Sequence, residues 1–107
     1  MEKFTKISLL LDIYGNLIKG RRKEVLNLYY NEDYSLTEIA EIFNITKQGV
    51  RDFLLKGEKE LLDYENSLNI LENKFEMDDI LNNLLESEDL GQIKFDLQKL
   101  IYYQKES

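Results

Sequence analysis

Apolar residues recur along this chain at steps of three and four, the period of one helix face, and the strict alternation that marks a strand is missing. Phe4, Ile7, Leu10, Leu11, Tyr14, Leu17 and Ile18 predict a first helix. It ends at Lys19-Gly20, a cation followed by a glycine, the order that suits a helix C-terminus. Val25, Leu28 and Tyr29, with Leu26 and Tyr30 beside them, predict a second helix over about residues 21–31. Ser35-Leu36-Thr37-Glu38 has the form of a capping box, in which the serine hydroxyl accepts from the Glu38 amide and the glutamate reaches back to the Ser35 amide. Leu36, Ile39, Ala40 and Phe43 make a short third helix after it. Asn44-Ile45-Thr46 reads as a break, with Ile45 an apolar plug and Thr46 the N-cap of the next helix.

Val50, Leu54, Gly57 and Leu61 then form one inward stripe. Leu54, Leu61, Leu68 and Phe75 are spaced by seven, and Gly57, Tyr64 and Leu71 fill the second seam position. This heptad pattern predicts one long helix from about Thr46 to Glu72, bent near Asn66. Met77, Ile80, Leu81, Leu84 and Leu85, and then Ile93, Leu97, Leu100 and Ile101, predict two further helices separated at Leu90-Gly91. The expected fold is all-α, a helix-turn-helix with a long recognition helix. Residues 1–62 are its recognition unit and residues 63–107 an acidic helical extension, together one compact domain.

Composition narrows the chemistry. Among 107 residues there is no proline, no cysteine and no histidine. Disulfides, thiolate metal sites, a thiol nucleophile and the usual general base near neutral pH are therefore unavailable, and an enzyme is not expected. No cofactor is expected. The acids Asp78, Asp79, Glu86, Glu88 and Asp89 lack the alternation and central glycine of a calcium loop, so they read as a solvated face. The apolar run from Ile7 to Ile18 is interrupted by Asp12, Gly15 and Asn16 and is too short to span a bilayer; a cytoplasmic protein without a membrane partner is expected.

The net charge of −7 is unevenly placed. Residues 1–60 hold ten Lys/Arg and ten Asp/Glu, residues 61–107 four and eleven, so the excess acid lies entirely in the C-terminal part. The N-terminal part is free to present a basic face to nucleic acid. A capped short helix, a three-residue turn and a second helix with four-step apolar spacing is the sequence form of a helix-turn-helix, whose second helix enters the DNA major groove by its N-terminal turns. Lys47, Gln48, Arg51 and Asp52, followed by Leu55 and Lys56, fall on its outward side. Arg51 suits guanine, Gln48 suits adenine, and Thr46 and Lys47 suit phosphate, whereas Asp52 opposes it. Arg21, Arg22 and Lys23 open the second helix, where cations oppose the helix dipole; phosphate contact is one reason for them, and solubility or pairing with acids of the C-terminal part is the other.

The segments Leu28-Tyr29-Tyr30, Tyr34-Ser35-Leu36, Glu38-Ile39-Ala40, Thr46, Val50, Leu54, Lys56-Gly57 and Leu61 resemble the promoter-reading C-terminal region of bacterial sigma factors, over about residues 20–62. Nearly the whole chain resembles the YlxM family of small bacterial helix-turn-helix proteins. The stretches that carry this are Leu9 to Tyr14, Leu26 to Tyr30, Asp33 to Ala40, Thr46 to Asp52 and Leu61 to Glu65. The resemblance implies an all-helical regulatory protein associated with the signal recognition particle. It places Thr46, Lys47, Gln48 and Arg51 where a recognition helix reads its target, and Lys56 where a phosphate-contacting cation is usual. Gly49 stands where alanine is common, and Leu55 where a polar residue is common.

The expected function is therefore nucleic-acid-binding regulation, with DNA as partner and RNA a further candidate. The alternative is a protein or ribonucleoprotein interaction module that engages signal recognition particle components without specific DNA binding. A homodimer formed through the heptad stripe stays open beside either.

Overall fold

The structure, a computed structural model, describes the backbone of residues 1–106 and the side chains of residues 1–102. Among them are six α-helices and no strand: α1 (Lys3–Tyr14), α2 (Arg21–Tyr30), α3 (Leu36–Phe43), α4 (Lys47–Leu68), α5 (Ile70–Glu86) and α6 (Leu90–Glu106). A 3₁₀ turn over Gly15–Leu17 follows α1. The chain divides into two units, Met1–Asn69 and Ile70–Ser107.

The first unit is built around α4. Val50, Leu54 and Leu61 of α4 meet Ile7, Leu10, Leu11 and Tyr14 of α1, Val25 and Leu26 of α2, and Ile39 and Ala40 of α3, all of them buried. The three-and-four spacing of these residues puts each set on one face, so four short amphipathic pieces close a single core. The closest approach is at Gly57. A methyl group there would lie 2.6 Å from Leu26 Cδ1 and 2.9 Å from Leu26 Cγ. Leu26 is itself wholly buried and cannot step aside, so α2 and α4 touch across a position that only glycine fits.

Contacts at both of its ends tie α1 to the rest. Tyr14 donates from its hydroxyl to Glu65 Oε1 at 2.7 Å and stacks on Tyr64, ring centroids 5.9 Å apart. At the other end of α1, Phe4 packs against Tyr30 at 4.9 Å and Tyr29 at 6.2 Å, and Lys3 pairs at 2.9 Å with Glu58, a carboxylate that is only 7% exposed. A buried acid without a cation would be costly, so Lys3 holds the N-terminus of α1 in place.

Three expectations need correcting. The first helix does not run to Lys19: it tightens into the 3₁₀ turn, Ile18 becomes extended, and Gly20 (φ 72°) enters α2. The long helix does not reach Glu72. Asn69 adopts the left-handed conformation (φ 54°, ψ 29°) and ends α4 at Leu68. Asparagine tolerates that conformation, and Asn66-Ser67-Leu68-Asn69 is poor in strong helix formers, so the local preference outweighs the heptad spacing. The seam breaks there, with Leu68 51% exposed. Nor do Leu90-Gly91 separate the last two helices; they open α6.

In the second unit α5 and α6 pack on each other. The start of α6 is set by Asp89, whose Oδ1 accepts from the Gly91 amide at 2.8 Å and the Gln92 amide at 3.3 Å. Ser87 Oγ accepts in turn from the Asp89 amide at 3.2 Å. Part of the acidity of this segment is therefore capping chemistry. Leu81, Leu85, Leu90, Phe95, Leu97 and Ile101 stand exposed.

The two glycines of α4 should respond oppositely to alanine. Gly57→Ala is expected to destabilise, because overpacking a filled core costs about 1–3 kcal/mol against roughly 0.5–1 kcal/mol gained in helix propensity. At Gly49 an added methyl would meet Thr46 Oγ1 at 3.4 Å and Ile45 Cδ1 at 3.6 Å, ordinary contacts. Gly49→Ala is expected to stabilise by about 0.5–1 kcal/mol. Urea unfolding of both variants checks this, with midpoints moving in opposite directions.

Alkali should loosen the end of α1. The hydrogen bond to Glu58, and then its charge, raise the Lys3 ammonium above its ordinary value of 10.5. Burial, and then the Glu58 charge, raise the Tyr30 phenol above its ordinary 10.0. Both groups hold their protons to higher pH when folded than when unfolded. The stability they contribute is therefore complete below the unfolded values and is lost as pH rises through and beyond them. Denaturant titrations from about pH 8 to 11 are expected to show stability falling from about pH 10, and falling less steeply in Tyr30→Phe.

Candidate nucleic-acid interface

The turn between α3 and α4 is fixed by its own backbone and caps. Ser35 Oγ accepts from the Glu38 amide at 3.1 Å, and Glu38 Oε1 accepts from the Ser35 amide at 3.1 Å, so the capping box that begins α3 is complete. At the other end Asn44 turns left-handed (φ 53°, ψ 50°), which frees the Ile45 amide to donate back to the Ala40 carbonyl at 3.0 Å. Thr46 Oγ1 then accepts from the Gly49 amide at 3.0 Å and starts α4. Three residues join α3 to α4, and Ala40, small and buried, lets the two helices cross closely.

Beyond the turn, Val50 and Leu54 enter the core while Lys47, Gln48, Arg51, Asp52, Leu55 and Lys56 are all exposed. At 3.6 residues per turn, Arg51 lies about 40° and Gln48 about 100° around the helix from Lys47. The three therefore share one side of the first two turns. Gln48 is already engaged: its Nε2 donates to Asp52 Oδ1 at 3.0 Å. One amide hydrogen and the carbonyl oxygen of Gln48 remain for a partner. Lys56 sits farther round the helix, on its flank.

The three cations at the start of α2 fare differently. Arg21 is exposed and lies over the ring of Phe43, 4.6 Å from its centroid, which brings it to the last residue of α3 before the turn. Arg22 is bound instead to Glu60 of α4 at 2.7 Å, with side chains 39% and 29% exposed. Lys23 is exposed. Sequence reasoning treats these three as one patch and misses Glu60 and Phe43, which are distant along the chain and carry no local signal. The Gln48–Asp52 bond is within its reach, since residues four apart are neighbours on a helix.

Beside this face runs a groove of about 220 Å³ lined by Tyr29, Leu36, Arg51, Leu54, Leu55 and Glu58. Most of its wall is apolar, and Leu55, 59% exposed, forms its outer lip. Among the described residues no cluster of His, Cys, Asp and Glu is able to hold a metal ion, and no helix is long and apolar enough to cross a membrane.

A family model described as "Putative helix-turn-helix protein, YlxM / p13 like" matches residues 1–101, which include the whole motif just described. The chain belongs to this family. Relatives named "UPF0122 protein" include one from Desulforamulus reducens, 40% identical over 103 residues that span 92% of this chain and 87% of its own. Another, from Clostridium botulinum, is 37% identical over 86 residues, 80% of this chain and 79% of its own. A third, from Lactococcus lactis, is 36% identical over 85 residues, 79% and 77% of the two chains. The family and the coordinates agree on an all-α helix-turn-helix protein, as the sequence led one to expect.

Because the first turn of α4 depends on one hydroxyl, Thr46→Ala is expected to cost about 1 kcal/mol, while Thr46→Ser is expected to cost much less. Thermal unfolding of the two variants separates the cap from the threonine methyl group.

Proposed function

We propose that this chain is a DNA-binding regulatory protein that inserts the first turns of α4 into the major groove. The observation that carries this reading is the joint exposure of Lys47, Gln48 and Arg51 on one side of a helix that Thr46 starts and Val50 and Leu54 hold against the core. Arg51 offers a planar fork to the acceptors of guanine, Gln48 offers an acceptor and a donor to adenine, and Thr46 and Lys47 meet phosphate at the groove edge. Arg21 and Lys23 reach phosphate from the start of α2, and Lys56 does so from the flank of α4. Arg22 contributes as a brace through Glu60, holding the cationic end of α2 against α4.

Residues 1–60 carry no net charge, so every neutralised phosphate matters, and a homodimer with two recognition helices would double their number. A second reading keeps the fold and changes the partner: the apolar groove beside Leu55 favours a protein or ribonucleoprotein surface, and the resemblance to YlxM proteins points to the signal recognition particle.

Binding of the full chain to duplex genomic fragments across a series of salt concentrations tests the first reading. The logarithm of the association constant is expected to fall linearly with that of the salt concentration. In Lys47→Ala/Arg51→Ala the slope is expected to shrink by about one unit, roughly 0.9 for the phosphate that Lys47 no longer neutralises, while loss of the Arg51 fork weakens binding to the preferred site further. Equal, salt-insensitive retention of both proteins would overturn it. If a pull-down from extract captured the particle's protein and RNA without enriching DNA, the second reading would take its place.

A further inference from the structure

Leu55 is hard to reconcile with a solvated helix face. It is a large apolar side chain, 59% exposed; Arg51, Asp52 and Lys56 beside it on α4 are exposed as well, and it also lines the largely apolar groove with Tyr29, Leu36 and Leu54. Around the helix it lies about 80° from Lys47, between Arg51 and Gln48. Gln48, Arg51, Asp52 and Leu55 are thus spaced by three, four and seven residues, the same spacing by which the base-reading residues of homeodomain helices are arranged in the major groove. About two helical turns separate Leu55 from the start of α4, roughly 12 Å at 1.5 Å per residue.

The major groove presents one apolar group to a protein, the C5-methyl group of thymine. We propose that Leu55 is a specificity-determining residue that packs on a thymine methyl group, so that the recognition face prefers sites with thymine at that position. This deepens the proposed function and rests on it. Leucine neither donates nor accepts a hydrogen bond, so at that place it leaves the polar edges of guanine and cytosine without partners, a penalty that the apolar methyl group does not incur. Asp52 acquires a role as well. By accepting from Gln48 it engages one amide hydrogen and leaves one donor and one acceptor for a base. Gln48 and Leu55 would then specify A·T pairs from the same strip of helix, with Asp52 a positioning residue rather than a repulsive one.

The test begins by selecting duplexes from a random pool with the full chain at moderate salt. Each thymine of the selected site is then replaced singly by deoxyuridine, which removes only the methyl group, and dissociation constants are measured for the wild type and for Leu55→Ala. One replacement is expected to weaken wild-type binding about four-fold, the equilibrium worth of burying one methyl group, and to leave Leu55→Ala unaffected. Because Leu55 is exposed, its truncation leaves the core intact, and an unchanged helical circular dichroism spectrum verifies this. If the wild type binds the selected duplex in a salt-dependent manner but no replacement matters, this inference fails while the proposed function stands. It fails likewise if Leu55→Ala shows the same four-fold effect. If the wild type does not bind duplex DNA, both fall together, and loss of a captured protein partner in Leu55→Ala would assign the residue to a protein interface.

Discussion

The close packing of Gly57 on Leu26 governs the rest of the first unit. Helix α4 carries every residue of the candidate interface beyond the turn, and its direction is set by how closely α2 lies against it. A bare Cα at position 57 allows an approach that a single methyl group would forbid. Once α2 is seated there, Arg22 comes within reach of Glu60 and Arg21 is brought over Phe43, so the basic end of α2 is carried to the side of α4. The core supplies the driving force, and this one steric allowance sets the geometry.

Much of the fold is legible because its signals are local. The capping box at Ser35, the N-cap at Thr46 and the three-and-four spacing of Val50, Leu54 and Leu61 are each decided within a few residues, and the structure contains all of them. Misreading is confined to a few helix ends. At Asn69 the heptad spacing favours continuation and the tolerance of asparagine for a left-handed turn opposes it, and the backbone follows the asparagine. At Asp89 an exposed side chain that reads as surface charge is also a helix start. At Gly15 the tightening into a 3₁₀ turn leaves Ile18 buried all the same, so apolar periodicity alone does not reveal it.

The candidate interface is legible as a set of residues, and less so as a set of relationships. Lys47, Gln48 and Arg51 share a helix side, which spacing alone foretells. That Arg22 is held by Glu60, or that Glu58 lies buried under Lys3, depends on pairs separated by dozens of residues, and single-sequence reasoning has no measure of such proximity. Charge counting also misses how cations are allotted. Of the three at the start of α2, one lies over a ring, one is bound to an acid and one faces water.

The packing at Gly57 has a bearing on how such a chain drifts. Positions 26 and 57 fill a common volume, so they are not independent letters. A lineage that acquires a side chain at 57 has to shorten the one at 26, or else let the helices part and re-aim the candidate interface. The pair would thus change in concert or stay fixed, while exposed positions such as Glu24 and Asn66 are free to vary one at a time.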